Sequence, residues 1–318
     1  MIKYLVVCIL LSPVMVMAQH TASPVYDSLI KQADSFFAIK QYNISSLLFS
    51  KAFSVWAGKG RIDDRYSAAC SWSLAGNADS AFFNIERIAT KSDYSDYMSL
   101  VMEDALIPLH NDKRWLPLLH QVRANKFKKD SGYNISVIRL IDSMIEEDQT
   151  WRSHWRRHNN QQLSTSEDSL SNEAIAKKMA MTDSLHYKPV YDIFQQYGFP
   201  NYDLVGKDNS DNYWALVQHQ SNHPDFMACV LERMGVEIDH KKATGEKYAF
   251  LQDRINFEFG KPQVYGTQMV LNADSTAYVP APIIDRENVN ERRRKIGLNF
   301  PIEDYINYYN KRFRAPKK

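Results

Sequence analysis

The chain has 318 residues, of which 44% are hydrophobic and 24% charged, and its formal net charge at pH 7 is +2. This near-balance gives no electrostatic case for nucleic acid or a membrane surface as a general partner. The length allows two domains of ordinary size. Three cysteines are too few for a disulfide framework, and Cys70 and Cys229 are expected to be buried free thiols, although an oxidising compartment would permit a bridge between them.

Residues 1–18 are predicted to be an export signal. Lys3 precedes an apolar run over residues 5–11, and Val16 and Ala18 are small residues at the positions that a signal peptidase recognises. That run is too short to span a bilayer, and no later stretch reaches the roughly 20 apolar residues of a membrane helix. We therefore expect a periplasmic or extracellular protein that begins at Gln19 after cleavage and does not insert stably into a membrane.

Residues 24–126 contain two helical hairpins with similar patterns of small and aromatic side chains, and Ser23 followed by Pro24 predicts the start of the first helix. The pattern consists of Ala33, Phe36, Tyr42, Phe49 and Ala52 in the first hairpin and of Ala69, Trp72, Gly76, Ala81 and Ile85 in the second. This segment resembles tetratricopeptide repeats, in which small residues let two helices approach and aromatic residues fill the next groove. The resemblance implies a scaffold whose concave surface binds a protein or peptide. A plain helical bundle is the alternative.

A polar break over residues 126–132 predicts the domain boundary, with a repeat domain at residues 19–128 and a second domain at residues 133–314. In the second domain, residues 135–158 and 173–197 are predicted to be helices, and residues 162–172 a mobile loop. Shorter helices are expected at residues 213–220 and after Asn288, and a last helix at residues 301–313 should place Tyr305, Tyr308 and Tyr309 inward.

The helix over residues 135–158 contains an unusual polar section. Asp148 and Arg152 are four residues apart, so they share a helical face and can form an ion pair. Arginines next to tryptophans can stack on nucleotide bases, but an exported, nearly neutral protein disfavours that function. Two alternatives remain: a packed helix with a solvated arginine face, or a site to which Asp148, Gln149 and Arg152 contribute.

Residues 255–268 are predicted to form a β-hairpin. Ile255, Phe257 and Phe259 alternate with polar residues, which is typical of a half-buried strand. Residues 260–262 then break the run, and a second apolar run begins at Val264. The predicted fold class is therefore mainly α: a short tetratricopeptide-like domain and an α-rich domain with a small antiparallel hairpin.

His219 and His223 are four residues apart, a spacing that occurs in zinc sites. Gln220 stands where a metalloprotease helix needs a glutamate, and Pro224 is predicted to start a new helix, so the two histidines do not share a helical face. We expect no metal and no cofactor. His219 remains a candidate in its own right, with Gln218 beside it.

The stretches EEDQTWR, WALVQHQ, YAFLQDR, GKPQVYGTQ and ENVNERRRKIGL resemble, in this order, the markers of an uncharacterised bacterial domain family, over about residues 133–310. That family has no established activity. Ser221 stands where the family often has an acidic residue, which weakens any mechanism that needs a carboxylate there. The resemblance marks as site candidates Asp148, Gln149, Arg152, Gln218, His219, Asp253, Arg254, Tyr265, Gly266, Thr267, Gln268 and Arg293.

Two functions fit these candidates. The first is a binding scaffold formed by the repeats, attached to a domain in which the polar residues form a buried hydrogen-bond network or bind a small molecule. The alternative is a hydrolase or group-transfer enzyme in which His219 is the general acid or base, oriented by Asp148 or Asp253. The groups that would hold an anionic or amide-bearing substrate are Gln149, Arg152, Gln218, Arg254, Tyr265, Thr267, Gln268 and Arg293.

Overall fold

The computed structural model describes residues 23–159 and 170–312 of the chain. The predicted export signal and residues 162–169 of the predicted loop lie outside the described residues. Contacts divide the protein into two compact units. Unit 1 comprises the chain up to Ser92 together with Pro108–Arg114, and unit 2 comprises Asp93–Ile107 and the chain from Trp115 onward. The domain bounds inferred from the sequence stay predictions.

Unit 1 consists of four helices, each packed on the next: α1 (Pro24–Ala38), α2 (Tyr42–Val55), α3 (Ile62–Leu74) and α4 (Ala78–Lys91). The predicted start of α1 is confirmed, since the Ser23 side chain accepts a hydrogen bond from the Tyr26 N–H and Pro24 is the first helical residue. Small residues at the helix contacts let the backbones approach closely. Ala33 and Ala52 are fully buried there.

Unit 2 is built around a core in which α7, α8, α10, α11 and α12 pack together. Its helices are α5 (Tyr97–Met102), α6 (Trp115–Lys129), α7 (Ile135–Asn159), α8 (Asn172–Tyr197), α9 (Tyr202–Val205), α10 (Lys207–Gln218), α11 (Pro224–Asp239), α12 (Gly245–Glu258), α13 (Val289–Lys295) and α14 (Ile302–Arg312). Short 3₁₀ helices lie at Asp104–Leu109, which ends in unit 1, and at Arg286–Asn288. Ile138, Ile141 and Ile145 line the buried face of α7 at helical spacing, as predicted.

The fold class is confirmed, but the predicted position of the hairpin is wrong. Residues 245–258 form α12, and the antiparallel strands come later, as β1 (Met269–Leu271) and β2 (Tyr278–Pro280). Ile255 is buried while Phe257 and Phe259 are 40% and 46% exposed, so the apolar alternation does not correspond to one buried face. Burial instead recurs every four residues, at Leu251 and Ile255, which is the helical period.

Three smaller expectations are also corrected. Helix α10 begins at Lys207 rather than near residue 213, directly after Gly206, whose positive φ of 76° ends the preceding turn. Tyr305 is buried as predicted, but Tyr308 is 50% exposed. Cys70 is buried, Cys229 is exposed, and both are unbridged. No helix among the described residues has the length and apolar character needed to cross a bilayer.

Candidate functional site

Three helices of unit 2 bring an acidic and basic cluster together. Asp148 lies on α7, Asp183 lies on α8, and His219 is the first residue after α10. Gln220 helps to fix the end of α10 against α8, because its Nε2 donates a hydrogen bond to the Asp183 carbonyl over 3.2 Å. The cluster therefore depends on a junction of helices whose residues are far apart in the sequence.

Asp148 is the centre of this cluster, with a side chain only 1% exposed. Its Oδ1 accepts hydrogen bonds from Arg152 Nη1 at 2.6 Å and from His219 Nδ1 at 2.9 Å. Its Oδ2 accepts one from Gln149 Nε2 at 2.7 Å. A buried carboxylate is tolerated when it is paired and hydrogen-bonded in this way. The structure thus brings together four predicted site residues.

Asp183 is a member of the cluster that the sequence analysis missed. Both of its carboxylate oxygens accept hydrogen bonds from Arg152 Nη2, at 3.0 and 3.1 Å. Burial raises the pKa of Asp183, while the Arg152 cation acts in the opposite direction. The signal that could have revealed it is the buried stripe of α8, where Thr182 and His186 replace apolar residues. Polar residues on a buried helical face indicate a polar partner there.

His219 is oriented by the carboxylate of Asp148. A carboxylate can only accept a hydrogen bond, so the 2.9 Å contact requires the proton of the neutral ring to be on Nδ1. Nε2 then carries the lone pair. The side chain is 23% exposed, so solvent reaches the ring. His223 belongs elsewhere, since its ring stacks on Tyr187 with centroids 3.5 Å apart.

Asp253 lies in a separate network that orders the loop after α12. Its carboxylate accepts hydrogen bonds from the backbone N–H groups of Val264, Tyr265 and Thr267, at 2.7 to 3.2 Å. Burial raises the pKa of Asp253, and these N–H donors act against that rise. Of the two aspartates predicted to orient His219, Asp148 makes the hydrogen bond to its ring. The Asp253 carboxylate instead binds backbone N–H groups of the loop.

The candidates from Tyr265 onward join the same loop network. Gln268 Nε2 donates to Thr267 Oγ1 at 3.1 Å, and the Gln268 N–H donates to Gln263 Oε1 at 2.6 Å. Arg293, with 1% of its surface exposed, donates to the Tyr265 carbonyl at 2.7 Å. These bonds are of the kind that fixes a loop. Gln263, fully buried, was missed because a glutamine beside Pro262 carries no local signal of burial.

Gln218 and Arg254 are placed differently from the other candidates. Gln218 is 8% exposed, and its buried Nε2 has no hydrogen-bond partner in the described part of the chain. The buried Nε of Arg254 likewise has no partner there, and its Nη1 lies 3.7 Å from Glu258 Oε1. Glu258 Oε1 accepts a hydrogen bond from Ser221 Oγ at 2.9 Å. A carboxylate thus does lie beside the segment of His219, supplied by α12 rather than by position 221.

The donor atoms of Asp148, Asp183 and His219 lie within 4.8 Å of one another, a set that could ligate a divalent cation. The guanidinium of Arg152, however, already donates to both carboxylates. A metal ion would have to displace that cation and the His219–Asp148 hydrogen bond. The donor set therefore fits a metal poorly, and it fits an ion-pair cluster well.

These observations define the class: a mainly α protein whose larger unit carries a buried carboxylate joined to a partly exposed histidine. The chain belongs to the family of unknown function DUF6624, whose model matches residues 141–315. The match includes every polar site candidate described above. It agrees with the predicted uncharacterised domain, and it brings no activity with it. Neither the curated proteins nor the solved structures contain a match to the chain.

Proposed function

We propose that unit 2 carries a general acid–base site, that His219 moves the proton, and that the reaction is a hydrolysis or a group transfer. The observation that supports this is the 2.9 Å hydrogen bond from His219 Nδ1 to Asp148 Oδ1. It joins a solvent-accessible ring to a carboxylate that is 1% exposed. Such a carboxylate holds an imidazole in one tautomer and stabilises the imidazolium.

In the proposed reaction, His219 Nε2 accepts a proton from a water molecule or a substrate hydroxyl as its oxygen forms a bond to the electrophilic atom. The imidazolium then donates this proton to the leaving group as the bond to that group breaks. Asp148 stays ionised throughout. Arg152 and Gln149, at 2.6 and 2.7 Å from the Asp148 carboxylate, keep that carboxylate oriented. In this proposal the Asp253 network only shapes the neighbouring loop.

The proposal predicts that His219→Gln abolishes turnover in a panel of simple esters, amides and phosphate esters. Asp148→Asn is expected to reduce turnover by about 10²- to 10⁴-fold, because the ring loses its orienting carboxylate. His240→Gln is the matched control, since His240 is an exposed histidine just after α11. Activity that persists in His219→Gln would exclude His219 from the chemistry.

A second measurement tests the site without a substrate. The ¹⁵N chemical shifts of the neutral His219 ring should show the proton on Nδ1 in the wild-type protein. In Asp148→Asn this preference should weaken, because an amide can both donate and accept. A ring protonated on Nε2 in the wild-type protein would contradict the proposed base.

A second function is favoured by the packing of unit 1. Ala33, Ala69 and Ala81 are fully buried at positions where tetratricopeptide-like hairpins have small residues, and Leu47 on α2 is 61% exposed. We infer that unit 1 is a repeat scaffold that binds a protein or peptide. Peptides selected on the wild-type chain should lose binding to Leu47→Asp if α2 is part of that surface, and unchanged binding would place the surface elsewhere.

We also propose that the chain is exported. The support is the pattern of residues 1–18, in which Lys3 precedes an apolar run and small residues follow at positions 16 and 18. An exported acid–base enzyme attached to a peptide-binding scaffold is the combined function that we propose.

A further inference from the structure

Helix α10 and the turn after it contact α12 at two points along the chain. Trp214 of α10 lies against Phe250 of α12, with ring centroids 6.5 Å apart. Further along both segments, Ser221 Oγ donates a hydrogen bond to Glu258 Oε1 over 2.9 Å. In both segments the second contact residue comes seven or eight residues after the first: Ser221 follows Trp214, and Glu258 follows Phe250.

Gln218 and Arg254 lie at the same level of this contact. Gln218 comes four residues after Trp214, and Arg254 comes four residues after Phe250. Residues four apart in a helix share a face. The side chains of Gln218 and Arg254 therefore belong to the facing surfaces of the two helices. Ser221, two residues after His219, is hydrogen-bonded to Glu258, which lies 3.7 Å from Arg254, so these surfaces border the segment that carries His219.

Both side chains carry a buried donor that has no acceptor. Gln218 Nε2 and Arg254 Nε are buried, and neither has a hydrogen-bond partner within residues 23–159 and 170–312. Buried donors in native structures are paired as a rule, because an unpaired donor loses its bonds to water without replacement. Two such donors on one helix contact point to an acceptor that the described residues do not supply.

Arg254 forms an ion pair with Glu258 without a hydrogen bond, so this carboxylate does not use the N–H donors of the guanidinium. The Glu258 carboxylate lies 3.7 Å from Arg254 Nη1, which is too far for a hydrogen bond. The Arg254 side chain is 36% exposed, so a ligand from solvent can reach it. Arg152 differs, since its guanidinium donates to two carboxylates.

We propose that Gln218 and Arg254 form an oxyanion subsite that holds a carboxylate or phosphate group of the ligand beside His219. Arginine suits this role because its planar fork matches two oxygens of such a group, and an amide N–H adds a further donor. The subsite deepens the proposed function and rests on it, because it names the class of substrate on which His219 acts. That class consists of molecules with an anionic group next to the bond that reacts.

The test measures the melting temperature of the full chain with inorganic phosphate and with acetate, at constant ionic strength. Either anion should raise the melting temperature of the wild-type protein, because a ligand that binds only the folded state stabilises it. Arg254→Gln should lose this rise. Arg294→Gln is the matched control, since Arg294 is an exposed arginine of α13, and it should keep the rise.

Gln218→Leu provides the decisive second variant. Leucine removes the unpaired buried donor at similar volume, so the melting temperature without anion should increase by about 2 to 4 °C. The anion-dependent rise should disappear. This combination, higher stability with lost binding, is expected of a residue retained for a ligand.

Three results would overturn the subsite: no anion-dependent rise in the wild-type protein, a rise that survives Arg254→Gln, or a lower melting temperature in Gln218→Leu. A rise with only one anion supports the subsite and identifies that anion's class as the ligand. The His219 tautomer is measured in anion-free protein. The acid–base proposal can therefore fail while the subsite stands, and the reverse is equally possible.

Discussion

Arg152 decides what the acidic cluster of unit 2 can bind. Its Nη1 lies 2.6 Å from Asp148 and its Nη2 lies 3.0 Å from Asp183, so one guanidinium compensates two carboxylates. The planar guanidinium occupies the position between the two carboxylates that a metal ion would need. The cluster consequently orients the His219 ring, whose Nδ1 donates a hydrogen bond to Asp148.

Tyr26 of unit 1 is a residue whose ionisation should make stability depend on pH. Its side chain is fully buried, and its hydroxyl donates to Asp64 at 2.5 Å and accepts from the Arg61 N–H at 3.2 Å. Burial, together with the bond to Asp64, raises the pKa of Tyr26 to about 12. The reason is that burial disfavours the charged phenolate, which would also lie next to the Asp64 carboxylate.

The predicted consequence is a loss of stability in alkali. An unfolded tyrosine ionises near pH 10, whereas the pKa of folded Tyr26 is about 12. The contribution of Tyr26 to the free energy of unfolding is therefore complete below pH 10. It is lost as the pH rises from 10 to about 12. Denaturant unfolding at several pH values should show a steeper alkaline loss in the wild-type protein than in Tyr26→Phe.

The comparison with Tyr26→Phe is needed because burial also raises the pKa of Tyr97 and Tyr305. Both tyrosines remain in Tyr26→Phe, so their effects cancel when the stability of the variant is subtracted from that of the wild-type protein. Tyr133→Phe, which changes a tyrosine that is 41% exposed, should behave like the wild-type protein. Equal alkaline slopes for wild type and Tyr26→Phe would show that Tyr26 ionises as readily in the folded state as in the unfolded one.

At the scale of elements, the loop after α12 is held from both sides. Asp253 binds its backbone from the helix, and Arg293 of α13 donates to the Tyr265 carbonyl. Gly266, at φ +70°, takes the loop through a backbone conformation that other residues rarely adopt. A Cβ there would come within 2.4 Å of Ile302 Cδ1 and 2.8 Å of Ile283 Cδ1. Loop, α13 and α14 therefore form one packed assembly.

Gly266→Ala is predicted to lower the free energy of unfolding by about 2 to 5 kcal/mol, from the positive φ and the overpacking together. Gly260→Ala is the matched control, because Gly260 has φ +65° and a Cβ added there would meet no other atom within 4 Å. It should cost only about 1 to 2 kcal/mol. Denaturant unfolding measures both values, and equal losses would show that Ile302 and Ile283 move aside without cost.

At the scale of the whole molecule, the two units differ in their chemistry. The helix contacts of unit 1 are lined by fully buried alanines such as Ala68 and Ala69, which suits close helix packing. Unit 2 contains the ion-pair cluster of Asp148 and the amide network of Gln263, and the family match at residues 141–315 lies within it. In our proposal the chemical function therefore belongs to unit 2 and the binding function to unit 1.

Export is a prediction about the whole chain. Expressed in a Gram-negative bacterium, the chain should appear in the periplasm or the medium, with a mass and an N-terminal sequence that begin at Gln19. A variant without residues 2–18 should stay in the cytosol. Full-length protein in the cytosol of cells that carry the complete chain would contradict the prediction, and the acid–base site would be unaffected.

The sequence by itself determined the long helices and one contact of the site. Helices α7 and α8 follow from apolar residues at helical spacing, and Gly198 at φ +70° ends α8. The ion pair of Asp148 with Arg152 was predictable as well, because residues four apart in a helix meet whatever else the chain does. These features are local, so a window of a few residues contains their cause.

Only the tertiary structure decided the partners of Asp148 across the fold and the position of the hairpin. His219 lies 71 residues from Asp148, and Asp183 lies 31 residues from Arg152. Which of several candidate carboxylates meets His219 depends on how α7, α8 and α10 pack. Helix packing depends on the burial of many side chains that are far apart in the sequence. A short stretch of sequence therefore does not predict it.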